Sequence, residues 1–255
     1  MKLSARLQQV ANYLPEGCTF ADIGSDHALL PTAAVLSGKA AGAIAGEVND
    51  GPFEAAQRQV RSSGLTNRIS VRKGNGLAVI STGEVQVITI CGMGGALIAT
   101  ILQEGLDKLA GVKRLILQPN VGEEFVRRFL IEQGWYLVAE HILEEDGKIY
   151  EILVADRGDA SDSRNAELYQ ERRLPEGPLL TQEWLILLGP ILTTQPPSVF
   201  FKKLEIELDK WSKIRKSMAH SDQESARRKE KEIDLQMDQL KEVLACLQKV
   251  KPSSN

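Results

Sequence analysis

The stretch "FADIGSDHALLP", residues 20–31, decides how this chain is read. An apolar run ends at Asp22, and Gly24, Ser25, Asp26 and His27 follow at once. A strand running into a polar turn and then an apolar segment is the opening of a doubly wound α/β unit, whose ligands bind beyond the carboxyl ends of the strands. This turn has a single glycine. A dinucleotide fold uses a glycine-rich turn to seat a pyrophosphate on backbone N–H groups.

Outward from that turn, strand-like and helix-like segments alternate through residue 155. Leu3, Leu7, Val10 and Leu14 share a helical face behind a capping Ser4. Strands are predicted over 18–23, 41–47, 69–74, 85–91 and 114–118. The helix after the second strand has Pro52 near its first turn and stops near Gly64, the usual asymmetry of helix ends. Two further runs, 136–145 and 148–155, flank Asp146-Gly147, a strong hairpin signal. The pattern predicts an α/β fold, a mostly parallel doubly wound sheet with an antiparallel edge hairpin.

Composition turns polar near residue 157, so a first domain is expected over 1–157, with a linker and a helical domain over 158–255. In the latter, Leu204, Leu208, Trp211, Ile214 and Met218 keep one helical face, and Ile233, Met237, Leu240, Leu244 and Leu247 keep a heptad-like spacing. A polar turn over 219–225 between them predicts an antiparallel coiled-coil hairpin, and the tail 251–255 is expected to fray.

The 255 residues are 43% apolar and 25% charged, the globular range, which argues against wholesale disorder. With a net charge of −3, any nucleic-acid contact has to use a local patch. Cys18, Cys91 and Cys246 fit neither a disulfide framework nor a metal pattern. No apolar run approaches the roughly 18–20 residues of a membrane span. A soluble, cytoplasmic protein without metal is expected.

The strand ends choose the ligand. Asp22 and Asp26 would repel a phosphate, whereas the ammonium and sulfonium of S-adenosylmethionine are positive. One glycine suffices for close backbone approach. Glu47, ending the second strand, lies near the roughly 20-residue offset at which an acid accepts the ribose hydroxyls. Each feature has a bland reading: Asp22 and Asp26 as helix caps, Glu47 as a solvated strand-end acid, "CGMGG" (91–95) as a tight turn. Their succession along five strand ends makes the joint case for S-adenosylmethionine.

The motifs "ADIGSDHALLP", "GAIAGEVNDGPFEAA", "GNGLAVI", "ITICGMGGALI" and "LILQPN" together resemble the bacterial tRNA (adenine(22)-N1)-methyltransferases of the TrmK family. The resemblance spans nearly the whole chain and is densest over 1–155. It implies a class I, Rossmann-like methyltransferase domain with a C-terminal coiled-coil domain, acting on tRNA. Carried over by residue, it implies Asp22, Gly24 and His27 at the methionine end of the cofactor and Glu47 on its ribose. Asn75 and Gly76 would meet its adenine, and Gly92 and Met93 would line the pocket near the methyl. Gln118, Pro119 and Asn120 would hold the target base. Leu29 stands where many members carry an aromatic residue.

Adenine N1 has a free lone pair and no proton to lose, so positioning is expected to dominate, with His27 a cofactor-loop residue rather than a general base. Arg58, Arg61, Arg68, Arg72 and Lys73, with Arg227, Arg228, Lys229 and Lys231, are candidate RNA contacts or simply solvated faces. A monomer or weak dimer is expected. Two alternatives stay open at this point: a small-molecule methyltransferase dimerised by its helices, and a non-catalytic RNA-binding protein with a vestigial cofactor fold.

Overall fold

The computed structural model describes residues 2–158, 161–218 and 224–249. It divides into two units, Met1–Glu167 and Leu168–Asn255. The first runs α1 (Ala5–Asn12), β1 (Cys18–Ile23), α2 (Leu29–Leu36), β2 (Ala40–Glu47), α3 (Asp50–Ser62), β3 (Ile69–Lys73), β4 (Val87–Met93) and α4 (Gly95–Glu104). It continues with β5 (Arg114–Pro119), α5 (Glu123–Glu132), β6 (Tyr136–Glu145), β7 (Lys148–Asp156) and α6 (Ser161–Leu168).

The seven strands lie in the order β3-β2-β1-β4-β5-β7-β6. β1 to β5 pair in parallel, and β7 is antiparallel to both β5 and β6. This is the mostly parallel sheet with an antiparallel hairpin at its edge that the alternation predicts. The reversed strand is β7, one place in from the edge. Asp146 and Gly147, both at positive φ (50° and 73°), close the hairpin in two residues, as the favoured mirror-image turns require. Phe20, Ala21 and Ile23 of β1 and Val87, Ile88 and Ile90 of β4 are all buried, the sign of strands covered on both faces. The order of connections reverses between these two strands. Ligands of such sheets bind at that switch point, outside the carboxyl ends.

Two details matter for the site. Ser4 caps α1 by accepting the Leu7 N–H at 3.2 Å, and the Glu145 carboxylate accepts the Ala5 and Arg6 N–H groups at 2.5 and 3.3 Å. An acid at a helix N-terminus satisfies orphan donors and complements the dipole, so the hairpin holds the start of α1 in place. The polar stretch after residue 157 also contains α6, kept on the first unit by a 2.7 Å bond from buried Asn165 to the Trp135 carbonyl.

In the second unit, β8 (Arg172–Arg173) and β9 (Leu179–Leu180) form a small ladder before α7 (Gln182–Leu188), α8 (Ser198–Met218) and α9 (Glu224–Lys249). Arg215, near the end of α8, pairs with Asp234 and, at 3.8 Å, with Glu230, both in the first half of α9, so the two helices run antiparallel. The predicted stripes are buried unevenly. Leu204, Leu240 and Leu247 are fully covered, whereas Ile214 is exposed. At the buried end α9 also packs beyond its partner helix: Trp184 Nε1 donates to Gln239 at 3.2 Å, and Gly177 abuts Cys246. Most of the turn expected over 219–225, and the tail 251–255, lie outside the described residues.

One buried charge group braces the hairpin. Arg127 of α5 is fully enclosed and grips Glu140 of β6 and Glu151 of β7, each at 2.6 Å. Removing one partner of such a group strands the others as uncompensated buried charge. Arg127→Leu is therefore expected to lower stability by about 3–5 kcal/mol, read as a drop in the urea midpoint of unfolding.

Candidate active site

The carboxyl ends of β1 and β2 build an acidic corner. Asp22 is buried, and its two oxygens accept the hydroxyls of Ser25 at 2.7 Å and Thr89 at 2.6 Å. Burial pushes the Asp22 carboxyl up; the two hydroxyls hold it down, and the neighbouring Asp26 adds to the rise. The chain then turns through left-handed backbone. Gly24 has φ +70°, and Asp26, His27 and Ala28 follow at 41°, 64° and 55°. For residues with a Cβ this conformation costs roughly 1–2 kcal/mol each, so it persists only where the surroundings over-determine it.

The surroundings do so here. The Gly24 and Ser25 N–H groups donate to the Gly46 carbonyl at 2.9 and 3.2 Å, and the Asp26 N–H donates to Glu47 Oε1 at 2.6 Å. A Cβ on Gly24 would run into the Met93 methyl, which brings this turn against the end of β4. Glu47 is buried, and among the described residues its Oε2 accepts no hydrogen bond. Desolvation raises its carboxyl above the ordinary range, countered by the Asp26 N–H. An open carboxylate oxygen on a mostly buried side chain suits a diol donor, so these residues fit the ribose of S-adenosylmethionine. The Asp22 and Asp26 charges fit the cationic end of that molecule.

Asn75 follows β3 and is exposed at the start of a 3-10 turn, Gly76–Val79. The Gly74 N–H donates to the Glu47 carbonyl at 2.9 Å, which joins this loop to the acidic corner. Asn75 and Gly76 line a cavity of about 230 Å³ whose other walls include Ile101 and Lys108. His27 is largely exposed and lies 3.6 Å from Asp26.

The ends of β4 and β5 build an amide corner. Gln118 is fully buried; its Oε1 accepts the Gly92 N–H at 3.0 Å and the Arg6 guanidinium. Its Nε2 donates to the Pro119 carbonyl at 2.8 Å and to Asn120 Oδ1 at 3.2 Å. Asn120 Nδ2 in turn donates to the Gly92 carbonyl at 2.8 Å, and its backbone N–H to the Met93 carbonyl at 2.8 Å. Every hydrogen-bonding position of the Gln118 amide is used. Asn120, which is exposed, keeps one N–H and one lone pair for a ligand. Gly95 must be glycine, because a Cβ there would overlap the Gly122 carbonyl where the two loops meet. Burial, with Asp22 adding, pushes the Cys91 thiol far up, so it stays protonated.

Thr89 and Arg6 escape a reading of the sequence. Thr89 leaves a faint trace as the lone hydroxyl inside the apolar run "VITIC". Arg6 leaves none, since a cation on a helix reads as solvent-facing. The basic residues expected to meet RNA are partly occupied. Arg68 caps the Ala40 and Ala41 carbonyls at 2.9 and 3.0 Å, and Lys73 pairs with Asp50 at 2.5 Å. Arg72 grips Glu84 at 2.6 Å and holds its carboxyl down to about 2. Among the described residues there is no group of three or more His, Cys, Asp or Glu that could hold a metal, and no helix long and apolar enough to cross a membrane.

The chain as a whole is similar to known proteins. The profile of the family TrmK, tRNA (adenine(22)-N(1))-methyltransferase, matches residues 20–242. The tRNA (adenine(22)-N(1))-methyltransferase of Bacillus subtilis (strain 168) is 50% identical over 245 residues, covering 96% of this chain and 98% of that one. The crystal structure of the B. subtilis M1A22 tRNA methyltransferase TrmK superposes with a TM-score of 0.84 at 49% identity, covering 95% of this chain and 99% of that one. A Streptococcus pneumoniae protein solved in complex with S-adenosyl-L-methionine superposes with a TM-score of 0.78 at 39% identity, covering 95% of this chain and 100% of that one.

The ionised Glu47 carboxylate works against folding. A carboxyl whose folded value is raised costs stability as pH climbs from the unfolded value through the folded one. Glu47→Gln keeps an acceptor for the Asp26 N–H, so at pH 7 it is expected to unfold at a higher temperature than the parent, with the gain vanishing in acid. By calorimetry the same variant should bind S-adenosylmethionine about 10- to 100-fold more weakly, the cost of losing a charged hydrogen bond.

Proposed function

This chain belongs to the TrmK family of tRNA (adenine(22)-N(1))-methyltransferases, and from that membership and its strand-end geometry we infer that it transfers a methyl group from S-adenosylmethionine to N1 of adenine 22 in tRNA. The observation that carries the reading is the pairing of an acidic corner holding an open Glu47 oxygen with an amide corner that leaves Asn120 exposed. Family membership disfavours both a small-molecule methyltransferase and a vestigial fold.

Glu47 holds the ribose hydroxyls, Asp22 and Asp26 supply the field for the positive amino-acid end, and Gly24 allows close approach. His27 belongs to the same turn. Asn75 and Gly76 flank the cofactor adenine, and Gly92 and Met93 border the methyl. When bound, S-adenosylmethionine supplies an electrophilic methyl on a sulfonium.

The target adenine has to leave its stack, because N1 lies on the pairing edge. Asparagine recognises adenine through N6 and N7, donating to N7 and accepting from the N6 amino group. Asn120 has one N–H and one lone pair left for that edge, and such a grip leaves N1 open to the methyl. Pro119 stiffens the loop. Gln118, whose amide is fully used within the protein, sets the loop rather than touching the base. N1 carries no proton, so no side chain has to act as a base, and the gain comes from holding the reactants in line. Cytoplasmic residence suits a tRNA substrate and the free thiols Cys18, Cys91 and Cys246. The chain acts as a monomer or weak dimer.

Asn120→Ala is expected to lower single-turnover methylation of tRNA about 100-fold at saturating cofactor, the scale of a misplacement near 1 Å, while cofactor affinity stays within about twofold. His27→Ala is expected to act on cofactor affinity, with turnover at saturation within about threefold of the parent. A His27→Ala enzyme that binds cofactor normally and does not turn over would overturn this mechanism.

A further inference from the structure

We propose that Arg6, on the first helix, is a positioning residue for the methyl transfer: acting through Gln118, it fixes the direction in which the Asn120 amide faces. The proposal rests on the reading of Asn120 as the base-holding residue.

A primary amide offers two lone pairs on oxygen and two N–H groups, and Gln118 uses all four. Two donors, the Gly92 N–H and the Arg6 guanidinium, converge on its oxygen. Two acceptors, the Pro119 carbonyl and Asn120 Oδ1, face its nitrogen. Turning this amide over would set its NH2 against both donors. Gln118 is fully buried, so no bulk water relieves the mismatch. The orientation passes on: Gln118 Nε2 faces Asn120 Oδ1, which leaves Asn120 Nδ2 on the Gly92 carbonyl.

Arg6 differs from the other members in two respects. It is the charged donor, and a charge-assisted hydrogen bond is roughly twice as strong as a neutral one. It is also anchored outside the two loops that the network joins. Its guanidinium lies over the Tyr150 ring, 5.2 Å from the centroid, and its own N–H is held by Glu145. Both anchors belong to the β6–β7 hairpin, so Arg6 references the loop after β5 to a rigid edge of the sheet. Without it, the network retains only contacts made by the β4 and β5 ends themselves.

The test is single-turnover methylation of tRNA, with cofactor affinity and thermal unfolding measured on the same preparations. Arg6→Ala is expected to slow turnover about 10- to 100-fold at saturating tRNA and cofactor, with cofactor affinity within about twofold. Arg6→Lys, which keeps a charged donor, should recover part of the rate and serves in its place if Arg6→Ala does not fold. With Gln118→Met already present, removing Arg6 should slow the enzyme no further, because the link it acts through is gone.

Four results would overturn the proposal: a parental rate in Arg6→Ala, a loss confined to cofactor affinity, a loss confined to a salt-dependent KM for tRNA, or losses that multiply in the double variant. The parent enzyme separates this failure from that of the underlying reading. If it leaves N1 of adenine in tRNA unmethylated, the functional assignment falls; if it methylates and Arg6→Ala does so equally well, only the role of Arg6 falls.

Discussion

The hydrogen bond from the Asp26 N–H to the Glu47 carboxylate, 2.6 Å long, is the constraint on which the site depends. It ties the end of β2 to the turn leaving β1, and that turn places four residues, Gly24 and Asp26 to Ala28, in left-handed backbone. Three of the four have a Cβ and would relax to other conformations in a free peptide. The Gly46 carbonyl, the Glu47 carboxylate and the Ser25–Asp22–Thr89 contacts hold them from three directions. The acids that do this are themselves desolvated, and their carboxyls are pushed upward. The corner thus gathers acids whose ionisation costs stability.

The two corners divide the chemistry. The acidic one at the ends of β1 and β2 offers charge, and a ligand bearing an ammonium and a sulfonium would suit it. The amide corner at the ends of β4 and β5 works by direction, because an amide carries a donor and an acceptor at fixed angles. Met93 belongs to both: it meets Gly24 on one side, and its carbonyl accepts the Asn120 N–H on the other. The strand order makes this possible, since β1 and β4 are neighbours at the switch point of the sheet.

The β6–β7 hairpin does more than close an edge. The buried Arg127–Glu140–Glu151 group fastens it to α5, Glu145 receives the first N–H groups of α1, and Tyr150 supports the Arg6 guanidinium. A buried charge group is weak evidence for net stability but demands one geometry, since any slip leaves a charge without its partner. The same edge therefore sets both the helix that opens the chain and the loop that follows β5.

The sequence by itself determined the alternation of strands and helices, the hairpin at Asp146-Gly147, the paired C-terminal helices, and the polar residues that stand at the strand ends. Those signals are local: periodicity, a turn dipeptide, an acid or glycine just after an apolar run. The placement of Asp22, Glu47 and Asn120 at or just after strand ends was legible for that reason. Only the tertiary structure decided that Thr89 meets Asp22 across 67 residues, that Arg6 meets Gln118 across 112, that Gln118 is spent inside the protein while Asn120 keeps one N–H and one lone pair open, and that Arg72 and Lys73 are paired off. Each of these depends on which donor finds which acceptor once distant segments are packed together, and no spacing along the chain encodes that choice.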